Sequence, residues 1–412
     1  MRFLHTSDWH LGRAFNGVRL LDVQARVLDH LVETAREARV DAVLIAGDIY
    51  DKALPNPDAV AVLSDTLERL VDTGAQVVLI SGNHDSAIRL GFASSLLARA
   101  GLHVRTGVGA LTEPVLVADA AVYAVPYLEP QVVADAVGAE QRTHAGVLRA
   151  VLDAVRADAQ RRGRPAVAMA HAAVSGGAGC ESERDISVGG VGSVDPGLFD
   201  GFAYAALGHL HGRQRVGDVA HYSGSPVAMS FGEAGHVKGY AVVEVEAGGQ
   251  ARVDLVPAPV ERAVVTLRGR LADLLGEARH TSAEGAWVSV VLTDPTRPLG
   301  AMDSIRRRFP HAIKLDWVPE GGGEPVRRTY AARLADRGDL DICCDFLAHV
   351  RDGVAAGPRE RELLVRALDG ARVARSGREG EGGLAPAGRT ASEGEQGPAG
   401  DATTATGAEA VA

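Results

Sequence analysis

Asp8 and His10 stand two residues apart in the segment S-D-W-H. In a strand-to-loop passage, residues at that spacing point the same way, so a carboxylate and an imidazole can reach one cation together. Gly47-Asp48-Ile49-Tyr50-Asp51 follows an apolar run. A carboxylate at a strand end can bridge two cations with its two oxygens, which makes Asp48 the bridging candidate. Asp51 could orient a ligand or a water from behind. Gly82-Asn83-His84-Asp85 adds a neutral oxygen ligand in Asn83. Its His84, if left uncommitted beside cations, could stabilise or protonate a leaving oxygen, with Asp85 fixing its tautomer. His171 ends another apolar run, and Gly208-His209-Leu210-His211 supplies two imidazoles spaced by one. Any one motif alone reads as readily as a turn, a helix cap or a satisfied core histidine. Together they supply two Asp, one Asn and four His, a mixed N/O set that suits Mn²⁺, Fe²⁺ or Zn²⁺ and lacks the thiolates of structural zinc.

Each motif needs an element to hold it. The apolar runs Arg2–His5, Asp41–Ala46, Gln76–Ile80, Ala166–Ala170 and Tyr204–Leu207 precede the five motifs. They read as buried strands. Gln24–Ala38 and Pro57–Asp72 read as helices between them, so residues 1–260 predict an α/β layered domain with polar clusters at strand ends. Residues 261–335 predict a small α+β unit without a metal-type cluster, with strands at Ala263–Leu267, Trp287–Leu292 and Ala312–Trp317 and helices at Leu271–Ala278 and Met302–Phe309. Pro319–Pro325 reads as a loop. Residues 336–370 predict two amphipathic helices, Leu340–Val350 and Arg359–Leu368. The stretch 371–412 is Gly, Ala, Glu, Thr and Ser with almost no large apolar residue, and is expected to be disordered.

Composition sets outer bounds. A 46% hydrophobic fraction fits a globular chain, and a net charge of -10 argues against coating nucleic acid through overall basicity. The three cysteines, Cys180, Cys343 and Cys344, show no zinc spacing and fit a reduced cytoplasm. The chain starts directly in a strand-like motif, so no signal peptide is expected. No apolar run approaches the roughly 20 residues that cross a bilayer.

The order D-x-H, G-D-x-x-D, G-N-H-D, H and G-H-x-H is similar to that of calcineurin-like phosphoesterases. The flanking text HTSDWHLGR, AGDIYDKALP, ISGNHDSAIRL, ALGHLHGRQ and YSGSPVAMSFGE resembles the SbcD family of bacterial nuclease subunits, densely to about residue 240. The resemblance implies a layered β-sandwich flanked by helices, with a small capping domain and C-terminal helices. It implies Asp8, His10, Asp48 and His211 around one ion, and Asp48, Asn83, His171 and His209 around a second. It implies His84 as the catalytic histidine, with Asp85 beside it, and Mn²⁺ as the metal. It further implies a nuclease on DNA, acting as an ATP-dependent double-strand exonuclease and a single-strand or hairpin endonuclease in repair and recombination. The implied partner is the SMC-like ATPase SbcC, in a heterotetramer containing a homodimer of this subunit. Arg13, Asn16, Arg19 and Arg89 could touch DNA phosphates or be ordinary solvated residues. The segment Gly91–Ala100 could carry dimerisation, and the C-terminal helices could bind SbcC. Two other classes compete: a stand-alone phosphodiesterase for small phosphoesters, and a non-catalytic scaffold, which would be expected to lack ligands.

Overall fold

The structure, a computed structural model, describes residues 1–183, 186, 193–320, 338–351 and 354–380. The chain enters through β1 (Arg2–Thr6), a hairpin of β2 (Ala14–Phe15) and β3 (Val18–Arg19), and helix α1 (Leu21–Ala38). It continues through β4 (Ala42–Ala46), α2 (Pro57–Asp72), β5 (Gln76–Ile80), the short helices α3 (Ala87–Leu90) and α4 (Ser94–Leu97), and β6 (Leu102–Arg105). A second run brings β7 (Val115–Val117), β8 (Ala120–Val125), α5 (Pro130–Val133), α6 (His144–Arg162), β9 (Ala166–His171) and β10 (Tyr204–Gly208). Then come β11 (Gln214–Val216), β12 (Ala220–Tyr222), β13 (Gly239–Val245) and β14 (Ala251–Pro257). One sheet has the order β14-β13-β1-β4-β5-β6 and the other β11-β12-β10-β9-β8-β7. In the first, β1, β4, β5 and β6 run parallel. In the second, β8, β9, β10 and β12 do so.

The continuous apolar runs are strands covered on both faces. Along β1 and β4, Phe3, Ala42, Leu44 and Ala46 meet Val167, Met169, Tyr204 and Ala206 of the opposite sheet. The alternate residues Leu4, Val43 and Ile45 pack outward among Leu28, Leu31, Leu63 and Leu70 of α1 and α2. Burying each such side chain contributes about 1.5–3 kcal/mol, so the two faces of β4 alone fix its register firmly. Local signals agree: Asn56 Oδ1 accepts from the Ala59 amide, and Pro57 opens α2. Because neighbouring strands are parallel, their motif-bearing ends fall on the same edge, and the two packed sheets bring those edges together.

His5 lies in this core rather than in the site. Its Nδ1 is 2.9 Å from the Tyr204 hydroxyl, and His221 stacks on the Tyr204 ring. Burial, helped by His221, lowers His5 from 6.5 to about 3. Between those values the unfolded chain binds a proton that the folded chain refuses, so stability falls as pH drops below about 6.5. A His5→Gln variant keeps a polar partner for Tyr204 without titrating. It is expected to gain about 2 kcal/mol on the wild type between pH 7 and pH 5, read from urea midpoints. A gap that does not change with pH would show that His5 is not held neutral.

Beyond Pro257 a separate three-stranded sheet forms from β15 (Val264–Gly269), β16 (Trp287–Leu292) and β17 (Ala312–Trp317), with helices α7 (Leu271–Gly276) and α8 (Ala301–Arg308). All three strands are parallel. The expected α+β unit is therefore a small α/β unit, because each connection is long enough to cross over through helical turns. Its core gathers Leu274, Val288, Val290, Ile305 and Phe309. The C-terminal helices span Asp339–Val350 and Pro358–Gly380. The second corrects the tail expectation: residues 371–380 continue the helix, since no proline interrupts them. The rest of that expectation, 381–412, lies outside the described residues, as does most of the Pro319–Pro325 loop. Cys344 is buried and Cys343 partly so. Among the described residues no helix is long and apolar enough to cross a membrane.

Candidate active site

The five motifs leave the ends of β1, β4, β5, β9 and β10 and converge where the two sheets meet. The loops have little room, and glycine makes the approach possible. A Cβ on Gly82 would lie 2.1 Å from Asp48 Oδ1, and one on Gly208 would lie 1.9 Å from the Ala46 carbonyl oxygen. That carbonyl, which crosses from one sheet to the other, accepts the Nδ1–H of His171 at 2.9 Å. The bond fixes the tautomer and leaves Nε2 to face the site. Asp8, His10, Asp48 and His209 all hold φ between 45° and 111°, a conformation most side chains avoid. Four strained residues in one cleft mark a place where geometry is held at a cost in stability.

The side chains assemble in two groups around Asp48. In the first, ligand atoms of Asp8, His10 and His211 lie within 4.8 Å of one another, and His10 Nε2 and His211 Nε2 are 3.1 Å apart. In the second, Asn83 Oδ1 is 3.0 Å from His171 Nε2 and 3.2 Å from His209 Nδ1. Asp48 Oδ2 sits 3.5 Å from His10 Nε2 and 3.5 Å from His171 Nε2, between the two groups. Its other oxygen accepts the His84 backbone amide at 2.9 Å. Asp8 is held in turn by Ser7 Oγ at 2.6 Å and by the His209 amide at 3.0 Å.

The electrostatics match a cavity built for cations. Burial raises the Asp8 carboxyl to about 6 against the pull of His171 and His211. Burial works against charge on Asp48 as well, but His171 and His10 hold it well below the usual carboxylate range. Burial also disfavours charge on His171 and His211. Asp48 and Asp8 nevertheless lift His171 to about 9, and the contacts with Cys180 and Glu233 lift His211 to about 10. His209, with burial and His171 both against it, falls to about 3. The two carboxylates thus favour positive charge on the groups that face them. His10 Nε2 and His211 Nε2 drawn to 3.1 Å, together with buried His10 Nδ1 and Asn83 Nδ2 that find no hydrogen-bond partner among the described residues, fit a divalent-metal centre.

His84 and Asp85 do not act as the pair expected from their adjacency. The Asp85 carboxylate accepts the amides of Gly82, Ile49 and Tyr50 at 2.8, 3.1 and 2.9 Å, stapling the loop after β5 to the loop after β4. His84 Nδ1 instead donates to the Asp51 backbone carbonyl at 2.8 Å. Arg13, considered above for DNA phosphate, turns inward to Asp51 and Ser182, whereas Arg89 is exposed beside the Ala53 carbonyl. A set of supporting residues lies outside the candidate site residues read from sequence. Ser182 Oγ lies 2.7 Å from His211 Nδ1 and donates to Glu233 Oε1 at 2.7 Å. Glu183 accepts the His211 amide, and buried Lys238 bonds Glu233 and the His211 carbonyl. Their one trace in sequence is an acidic and a basic residue, Glu233 and Lys238, inside a stretch otherwise rich in small and apolar residues.

The family model of the calcineurin-like phosphoesterases matches residues 1–212, and the chain belongs to that family. Membership carries metal-dependent phosphoester hydrolysis on a centre of two divalent ions, which the Asp and His clusters here can accommodate. Among solved structures, a β-glucosidase from Exiguobacterium marinum is 10% identical over 77% of this chain and 89% of its own, with a TM-score of 0.21. The psychrophilic β-glucosidase BglU from Micrococcus antarcticus is 12% identical over 76% and 82%, with a TM-score of 0.20. Likeness at that level carries no argument.

Proposed function

We propose that the chain is the nuclease subunit of an SbcCD-type complex and hydrolyses DNA phosphodiester bonds at this site, with Mn²⁺ as the preferred metal. The observation that carries the hydrolytic part is the place of Asp48 Oδ2, equidistant from one imidazole of each donor group. Asp8, His10, Asp48 and His211 would hold one ion, and Asp48, Asn83, His171 and His209 the other. Divalent cations there supply charge for the non-bridging phosphate oxygens and acidify a water for attack on phosphorus. The protein's own part is positioning. Asp8 and Asp48 are each pinned by backbone amides, so the carboxylates cannot swing as charge redistributes. With its Nδ1 committed to the Asp51 carbonyl, His84 has only Nε2 to offer a leaving oxygen.

The DNA substrate and the partners rest on the text flanking the motifs. Ile88, Phe92 and Leu96, exposed on and beside α3 and α4, suit a homodimer contact. Phe346 and Leu363, exposed on the C-terminal helices, suit the coiled-coil base of an SMC-like ATPase. The test is a cleavage assay with Mn²⁺ on linear and hairpin-ended duplexes, with and without that ATPase and ATP. Cleavage of both, with ATP-stimulated degradation of duplex ends, is expected. Hydrolysis of cyclic nucleotides with no DNA cleavage would assign the site to small phosphoesters.

A further inference from the structure

We infer that Arg13 is a positioning residue for His84, acting through Asp51, a role that rests on the reading of His84 given above. The Arg13 guanidinium lies 3.3 Å from Asp51 Oδ1 and donates to the Ser182 carbonyl at 2.7 Å. Its side chain is 18% exposed, as is that of Asp51, so the pair is shielded well beyond an ordinary surface bridge. Its backbone is fixed too: the Arg13 amide donates to the His10 carbonyl, and its own carbonyl accepts the Leu20 amide. A short turn anchored to the first motif therefore projects one planar, two-pronged cation between two loops. One loop carries Asp51, whose backbone carbonyl receives His84 Nδ1–H. The other carries Ser182, whose hydroxyl meets His211 Nδ1 at 2.7 Å. Among the described residues Asp51 hydrogen-bonds no other cation, and its carboxylate stands 3.8 Å from His10 Nδ1. Without the guanidinium, Asp51 is freed to turn toward that imidazole and to drag the carbonyl that orients His84. A lysine cannot reproduce both prongs, because the fork of arginine supplies two directed donors and the ammonium is a single point charge.

A histidine that assists the leaving oxygen matters most when the leaving group is poor, and this gives the test. Turnover of methyl 4-nitrophenyl phosphate and methyl phenyl phosphate is compared in wild type, His84→Ala, Arg13→Ala, Arg13→Lys and Asp51→Asn, with bound Mn²⁺ measured in each. Arg13→Ala and Asp51→Asn are expected to lower kcat on the phenyl ester by roughly 10–100-fold, several-fold more than on the nitrophenyl ester, with KM and metal content held. Arg13→Lys is expected to fall between Arg13→Ala and wild type. Equal losses on both esters in Arg13→Ala and Asp51→Asn, or loss of metal there, would overturn the proposal in favour of a purely structural role. Should Arg13→Ala fail to fold, Asp51→Asn decides alone. If His84→Ala itself treats the two esters alike, the role of His84 falls. If it discriminates and the Arg13 and Asp51 variants do not, only the inference about Arg13 falls.

Discussion

Asp48→Ala is expected to lose metal from both donor groups and at least about 10³-fold in phosphodiesterase turnover. The expectation follows from position. Asp48 Oδ2 is the carboxylate oxygen that stands 3.5 Å from an imidazole of each group. Removing it leaves the first group with Asp8 alone and the second with no carboxylate at all. The loop should survive, because Asp85 separately staples Gly82, Ile49 and Tyr50. Circular dichroism and metal analysis on one sample separate the cases: native secondary structure with little bound metal is expected. Two ions retained with full turnover would remove Asp48 from the bridging role.

His84→Ala is expected to behave differently, keeping its metals and losing about 10²–10⁴-fold in kcat. The His84 ring lies edge-on to His10 with centroids 4.7 Å apart, so it borders the centre closely. Its backbone amide, which secures Asp48 Oδ1, persists in alanine. A ligand atom of its imidazole also lies within 4.8 Å of those of His10 and Asp48, but its Nδ1 is committed to the Asp51 carbonyl, which holds the ring to the edge of the donor groups. Metal content unchanged beside a deep loss of turnover would separate the two roles. Metal lost in proportion to activity would make His84 a ligand.

The positions of the site were legible in sequence because chemistry and fold use the same signals. Apolar runs that end in Asp, Asn or His, often after a glycine, say at once where a strand stops and what it presents. Asp8, His10, Asp48, Asn83, His171, His209 and His211 accordingly meet in one cleft. Orientation was not legible. Asp85 stands next to His84 in the chain, yet neighbouring side chains diverge, and it is consumed by three backbone amides. The group that fixes His84 is the backbone oxygen of Asp51, and backbone groups have no residue type to read. Ser182, Glu183 and Lys238 sit in loops and Glu233 ends a single 3-10 turn, none with a periodic pattern, and only the packed sheets bring them behind His211. The parallel pairing of β15, β16 and β17 is not legible in the sequence, because strand direction depends on how the connections cross, which spacing alone does not specify.

The central claim is that two ions share Asp48, and anomalous diffraction from Mn²⁺-soaked crystals tests it most directly. Two peaks are expected on either side of Asp48, one among Asp8, His10 and His211, the other among Asn83, His171 and His209. A single peak, or a second one bound away from Asp48, would contradict the account.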